Sequence, residues 1–483
     1  MSLLDFAGAP MVCALAVLGS AAHGASPGQN PAGAKNKDNT SIMTKTQTDA
    51  DAIREMARNS TYGYEQVRFL SNHIGPRLSG SPQAAAAVTY VAEQLRALGL
   101  EVRLEPVTVR HWVRGREEAE LVHYSGQVEG TFQKVIVTAL GNTVATPDQG
   151  ITAPVLVIDR FEQLDELPAD QVKGKIVLFN HLFDDFAAEA GRWDEAYAAA
   201  VQYRSNGPAR AAKKGALAAL VRSVGSGRFR LAHTGLTRYE EGTQQIPAAA
   251  VSAEDADLIA GLAKDGPVEI HLTLTPHDLP PAQSYNVIAD LKGDEKPEQI
   301  VIVSGHLDSW DLGTGALDDA TGVGIAMDVV QVIKKVCPHP KRTIRFVAWM
   351  NEENGGAGGR AYAEGHKSEL HDHVAAIEID YGDGRPVGLN VSATEDKLRS
   401  ISPILKMLAD PIGGIVNVSD APGADLRAVN QAGVPAIAPL QNARHYFDYH
   451  HTAADTFDKV RPDEMGRVTE FIAPLAYALA EHD

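Results

Sequence analysis

Cysteine is almost missing from this chain: Cys13 and Cys337 are the two it has. That count excludes a cystine-stapled scaffold and a zinc site built on thiolates. Basic charge is also short. Forty-four Lys and Arg face 62 Asp and Glu, a formal net charge of −18. DNA, RNA and anionic membranes need a basic face, so none of them is the main partner. Long apolar runs are lacking too, and the stretch near the start, "APMVCALAVLGSAAHGASPG", is too short for a comfortable transmembrane span. No internal repeat stands out.

What is present suits a soluble globular protein: 44% hydrophobic and 22% charged residues. At 483 residues, two or three domains are expected. Residues 1–24 resemble a secretory signal with an A-x-A-like cleavage region, although "MSLLDF" has no Lys or Arg and Asp5 has the wrong sign. A start at Met11, or an ordinary buried helix, are the alternatives. Removal of the segment would leave Cys337 alone, so export implies a secreted or periplasmic protein without cystine stabilisation. Residues 25–48 are polar, Pro/Gly-rich and aperiodic, which reads as a disordered linker.

Three further regions follow. Residues 49–126 carry helical periodicity, then the amphipathic "QAAAAVTYVAEQLRALGL" and the strand-like "EVRLEPVTV". Residues 127–280 hold short β-rich runs ("APVLVIDR", "GKIVLFN", "ALAALVRS", "PAAAVSA") and read as a small α/β or β-rich domain. Its histidines, His181, His233, His271 and His277, are scattered and read as ordinary residues, with no cluster of metal-ligating type. Residues 281–483 alternate apolar strands with helices, which predicts an α/β fold: a mostly parallel sheet covered by helices on both faces. In such sheets the site lies at the carboxyl ends of the strands.

Each strand expected in this last region is followed at once by a histidine or an acid. "VIVSGHLDSWD" ends on His306 and Asp308; "GTGALDDATG" places Asp318 and Asp319 before a helix. "FVAWMNEENGG" delivers Glu352 and Glu353, "AAIEIDYGDG" Asp380, and "YFDYHHTAADT" His450, His451 and Asp455. Singly, each is an ordinary solvated or hydrogen-bonded residue. Together, converging loops would stack carboxylates and imidazoles that repel one another unless a cation neutralises them. Mixed His and carboxylate donors without Cys suit Zn²⁺, with Co²⁺ or Mn²⁺ as alternatives. The donor set suggests two ions about 3.5–4 Å apart sharing one carboxylate. Of two adjacent glutamates, one can bind metal while its neighbour acts as general base. Asp308 can turn back to hold the second nitrogen of the His306 imidazole.

With these residues assembled, the sequence resembles the M28 family of zinc peptidases from about residue 50 onward. Within it the plasma glutamate carboxypeptidase group, whose members act as dipeptidases or aminopeptidases, is most similar. The segments that carry the resemblance are "GPRLSGSP", "SGHLDSWDLGTGALDDATG", "EENGGAGGRAYAEGH", "QAGVPA" and "HHTAADT". It implies one zinc held by His306 and Asp380, another by Glu353 and His451, and Asp318, twelve residues after His306, bridging them. The family pattern of an Asp four residues after the last ligand favours His451 over His450. Glu352 becomes the general base, His450 takes the place of an oxyanion-stabilising Tyr, and Asp318–Asp319 is an expected cis peptide. The middle region resembles an inserted protease-associated (PA) domain acting as a lid. Relatives are often dimeric, so a homodimer is the expectation.

The resulting expectation is a di-zinc exopeptidase acting on dipeptides or short peptides with a free N-terminus. Three alternatives compete. A non-catalytic receptor ectodomain of this fold would have lost ligands, and a glutaminyl cyclase would use a single zinc. A carboxypeptidase needs a cation for the substrate C-terminus; Arg360, Arg385, Arg427 and Arg444 lie near the motifs, and most read as surface residues.

Overall fold

The structure, a computed structural model, describes residues 35–419 and 423–482. The signal-like segment 1–24 lies outside them. Of the linker expected over 25–48, the part from Lys35 is helical, within the helix Lys35–Arg58. The Pro and Gly residues that marked the linker stop at Gly33, and none follows to break the helix. Ala50, Ile53 and Ala57 of this helix are buried in the main core. Among the described residues no helix is long and apolar enough to cross a membrane.

Thr46–Asp483 form one compact unit with two eight-stranded sheets. The larger sheet runs in the order Glu101–Val113, His277–Leu291, Arg342–Trp349, Lys296–His306, His373–Glu378, Ala436–Gln441, Pro386–Ser392, Ile415–Val418. Its four strands from Arg342–Trp349 to Ala436–Gln441 are parallel, and the strands flanking them are antiparallel. The "QIVIV" run is apolar at every position after the glutamine because both faces of its strand are covered. Val301 and Val303 pack toward the helices Thr321–Val336 and Pro462–Glu481. Ile300 and Ile302 pack on the opposite face, with Tyr362 of Ala357–Gly365 and Val429 of Arg427–Gln431. Each such buried side chain contributes about 1.5–3 kcal/mol of transfer free energy.

The second sheet is built from strands between Glu117 and Leu274, with Ile151–Ile158, Ile176–Phe179, Ala218–Arg222 and Ala248–Val251 parallel at its centre. Its limits therefore differ from the expected 127–280. The strand Glu117–His123 buries Ala119 and Leu121 between charged or half-buried neighbours, so it carries little apolar signal. Glu101–Val113 and His277–Leu291 pair antiparallel from Glu101↔Asp290 to Val113↔His277, and this ribbon joins the two sheets.

Because the four central strands of the large sheet are parallel, their carboxyl ends open on one edge. His306 closes one strand; Glu352 and Glu353 follow the second; Asp380 follows the third. The fourth leads through the helix Arg444–Tyr449 to His450 and His451.

Candidate active site

His306 Nε2 lies 3.0 Å from Asp318 Oδ1 and 3.3 Å from Asp380 Oδ1. The other Asp318 oxygen, Oδ2, lies 3.2 Å from His451 Nε2, and that nitrogen is 3.0 Å from Glu353 Oε2. Asp318 thus joins two triads, His306–Asp318–Asp380 and Asp318–Glu353–His451, with the donor atoms of each within 4.8 Å of one another. The Asp318–Asp319 peptide is cis, as the resemblance implied. His450 stacks on His451 at 3.7 Å between ring centroids, with Nε2 3.6 Å from Asp318 Oδ2.

The loops are fixed by buried polar contacts. Asp319 accepts from the backbone N–H of His306 (3.0 Å) and Gly322 (2.8 Å). A Cβ on Gly322 would collide with the Ile379 carbonyl, so the "ATG" glycine permits this approach. Asp455 accepts from the backbone N–H groups of Ala316, Leu317 and Asp318, holding the loop that presents Asp318. Arg77, fully buried in "GPRLSGSP", donates to the carbonyls of Gly75, Leu307, Thr314 and Gly315. It therefore ties together the loops after His306 and before Asp318.

The role expected of Asp308 needs correcting. Its backbone carbonyl, not its carboxylate, faces His306 Nδ1 at 3.0 Å; the nearest carboxylate oxygen is 3.9 Å away. The carboxylate instead accepts from the backbone N–H of Asn351 (2.7 Å) and Glu352 (3.1 Å), and from Ser79 Oγ (3.3 Å). A carboxylate two residues past a strand end reaches the neighbouring parallel strand's loop more readily than its own imidazole. Asp308 thereby positions the Glu352–Glu353 pair.

The middle region contributes residues that sequence reasoning passed over. His451 Nδ1 lies 3.2 Å from the Thr234 carbonyl and 3.3 Å from Arg204 Nη1. His233, read as ordinary, is buried with its ring 4.8 Å from that of His450 and 5.1 Å from that of His451. His233, His450 and His451 form a third cluster of metal-ligating type, to which the middle region contributes one histidine, His233. These contacts cross 217 residues between Thr234 and His451, and no local motif announces them.

The site's electrostatics are those of crowded anions. Burial, with Glu353 and Asp380 beside it, lifts Glu352 well above the usual carboxylate range. Burial and Asp318 push Glu353 up to about 7. Burial also opposes ionisation of Asp318, but the hydrogen bond with His306 and the His451 imidazole beside it outweigh burial and pull Asp318 well down. His306 and His451 are raised well above the ordinary imidazole range against the opposing effect of burial, by Asp380 and Asp318 and by Glu353 and Asp318. Burial and His451 push His450 well down, which keeps it neutral.

This donor set fits zinc. Asp318 Oδ2 and Asp380 Oδ1 are buried without a hydrogen bond although imidazoles stand beside them, and every donor is an imidazole nitrogen or a carboxylate oxygen.

Comparison with known proteins agrees with this architecture. Residues 286–476 match Peptidase family M28. The chain is 36% identical over 439 residues to Carboxypeptidase Q of Bos taurus, covering 89% of each chain. It is 26% identical over 439 residues to Aminopeptidase YwaD of Bacillus subtilis (strain 168), covering 89% of this chain and 86% of that one. The crystal structure of a Peptidase M28 precursor from Shewanella amazonensis SB2B superposes with a TM-score of 0.83 at 37% identity, over 90% of this chain and 97% of the other. A zinc aminopeptidase from Bacillus subtilis shares the fold, with a TM-score of 0.61 at 19% identity over 86% of this chain and 94% of the other. The chain belongs to peptidase family M28 and is a peptide-bond hydrolase.

Proposed function

We propose that this protein is a di-zinc exopeptidase that removes the N-terminal residue from dipeptides and short peptides. The observation that carries the reading is the Asp318 carboxylate, one oxygen 3.0 Å from His306 and the other 3.2 Å from His451, so that a single group serves two triads. His306 and Asp380 would hold one ion, Glu353 and His451 the other, and Asp318 both. Zinc at these residues would polarise the scissile carbonyl and acidify water.

The chain's own groups do the rest. Glu352 takes the proton of the attacking water on its carboxylate and returns it to the nitrogen of the leaving amine as the C–N bond breaks. His450, neutral and with Nδ1 free of protein partners, offers a ring N–H to the developing oxyanion. Arg204 and the Thr234 carbonyl orient His451, so the middle region acts as a lid that also positions a ligand. The acid-rich wall suits a free α-ammonium, and the similarity to an aminopeptidase supports the same end of the substrate. Export, resting on the apolar segment 1–24, belongs to this reading.

The test is hydrolysis by the zinc-loaded chain of one dipeptide in free, N-acetylated and C-amidated forms. Cleavage of the free and amidated forms but not the acetylated one is expected, with two zinc ions per chain and fewer in D318N. Preferential cleavage of the acetylated form would establish a carboxypeptidase instead. Absence of turnover on all three would overturn the reading.

A further inference from the structure

Beside Glu352 the structure opens a cavity of about 380 Å³, within the usual size of a small-molecule site. One wall comes from the middle region, through Arg238; the others carry Arg360 and Arg427, with Gln431 and Asp425 among the remaining polar residues. None of the three arginines has an ion-pair partner within 4.0 Å among the described residues. Arg360 is steadied by one hydrogen bond, from Nη1 to the Gly355 carbonyl at 2.6 Å, which leaves its other donors free. Elsewhere on this acidic chain arginines are commonly matched: Arg385 faces Glu464, Arg461 Asp383 and Arg345 Asp290. Three exposed guanidiniums without ion-pair partners border this one cavity, and the planar fork of arginine suits a carboxylate.

Chemistry fixes which part of the substrate meets them. The proton collected by Glu352 must go to the leaving nitrogen, so the leaving residue lies on the side of Glu352, where this cavity is. In a dipeptide that residue carries a free carboxylate one carbon from the leaving nitrogen. Asp425 also lines this cavity; it is buried with both oxygens lacking a hydrogen bond, and burial with Glu378 nearby holds it well above the usual carboxylate range.

We propose that Arg238, Arg360 and Arg427 form a carboxylate-binding subsite for the residue released by the enzyme, favouring dipeptides through their C-terminal carboxylate. This rests on the exopeptidase reading above. Two of these arginines come from the catalytic region and Arg238 from the middle one, so the subsite is complete only when both regions border the cavity.

The test compares kcat/KM of the zinc-loaded full chain for a dipeptide acid, its C-terminal amide, and an amide whose second residue is Asp. The acid is expected to be preferred over the plain amide. In R360M, R427M and R238M the acid-to-amide ratio should fall about tenfold to a hundredfold, through KM, as loss of a hydrogen bond to a charged group implies. R444M, in a separate cavity, is the control and should leave the ratio unchanged. Preference for the Asp amide, lost in the same variants, would assign the subsite to an acidic side chain. Equal losses on acid and amide, or no change on either, would overturn the subsite. Calorimetric binding of acid and amide to E352Q separates the two readings. Tighter binding of the acid without turnover in the parent enzyme would retain the subsite and remove the hydrolytic reading; equal binding would remove the subsite.

Discussion

Replacing Arg77 with Met should unfasten the active site without touching a metal ligand. The guanidinium donates to four carbonyls, those of Gly75 (3.0 Å), Leu307 (2.9 Å), Thr314 (2.7 Å) and Gly315 (2.8 Å). A hydrogen bond from a charged donor contributes about 1.5–3 kcal/mol, and a buried acceptor left unpaired costs a similar amount. Four such losses do not add in full, because loops relax and water enters, so the expected destabilisation is about 3–5 kcal/mol, at the upper end of single substitutions. For a compact unit of about 440 residues, 1 kcal/mol corresponds to about 1 °C in Tm, so calorimetry should read a fall of about 3–5 °C. Zinc content after dialysis should also drop, since the same residue holds the loops bearing His306 and Asp318. R77K keeps the charge but cannot span both loops with one ammonium, and it should recover less than half of the loss. A Tm within about 1 °C of the parent, with full zinc content, would refute the role assigned to Arg77.

Three other outcomes follow from the same geometry. E352Q should lower kcat by about 10²–10⁴ while retaining bound zinc, because the proton carrier is lost and the donor set is not; metal analysis beside kinetics checks this. G322A should lower Tm, since a methyl group there meets the Ile379 carbonyl and the Asp319 carboxylate; unchanged thermal unfolding would contradict that packing. Asp328 concerns stability at a distance from the site. Burial lifts its pKa to about 6 despite a 2.6 Å hydrogen bond from Ser60 Oγ. The folded state then binds this proton more tightly than the unfolded one, so stability falls as pH rises from about 4 to about 6 and stays reduced above. D328N should accordingly raise Tm at pH 7 to 8 and leave it near the parent value at pH 4.

The larger sheet and most of the site could be read from the sequence because they are written locally. "QIVIVSGH" and "RTIRFVAWM" are apolar since parallel strands are buried on both faces, and the polar residue after each run falls on the edge where sites form. The interval from His306 to Asp318 places both in one strand–loop–helix unit, so their meeting needs little long-range information. Where the reading failed, the signal was weak or the partner was remote. The strand Glu117–His123 hides its two buried side chains among charges. Asp308 was expected to face its own strand's imidazole, but the adjoining loop offered two backbone N–H groups at closer range.

The sequence by itself determined the α/β alternation and which imidazoles and carboxylates follow the strands of the larger sheet, because periodicity and residue chemistry are local properties. Only the tertiary structure decided that Arg204, His233 and Thr234 of the middle region press on His450 and His451, and that Arg238 joins Arg360 and Arg427 around the cavity beside Glu352. Those juxtapositions are set by how two sheets pack across one ribbon, and packing between segments some two hundred residues apart leaves no pattern along the chain.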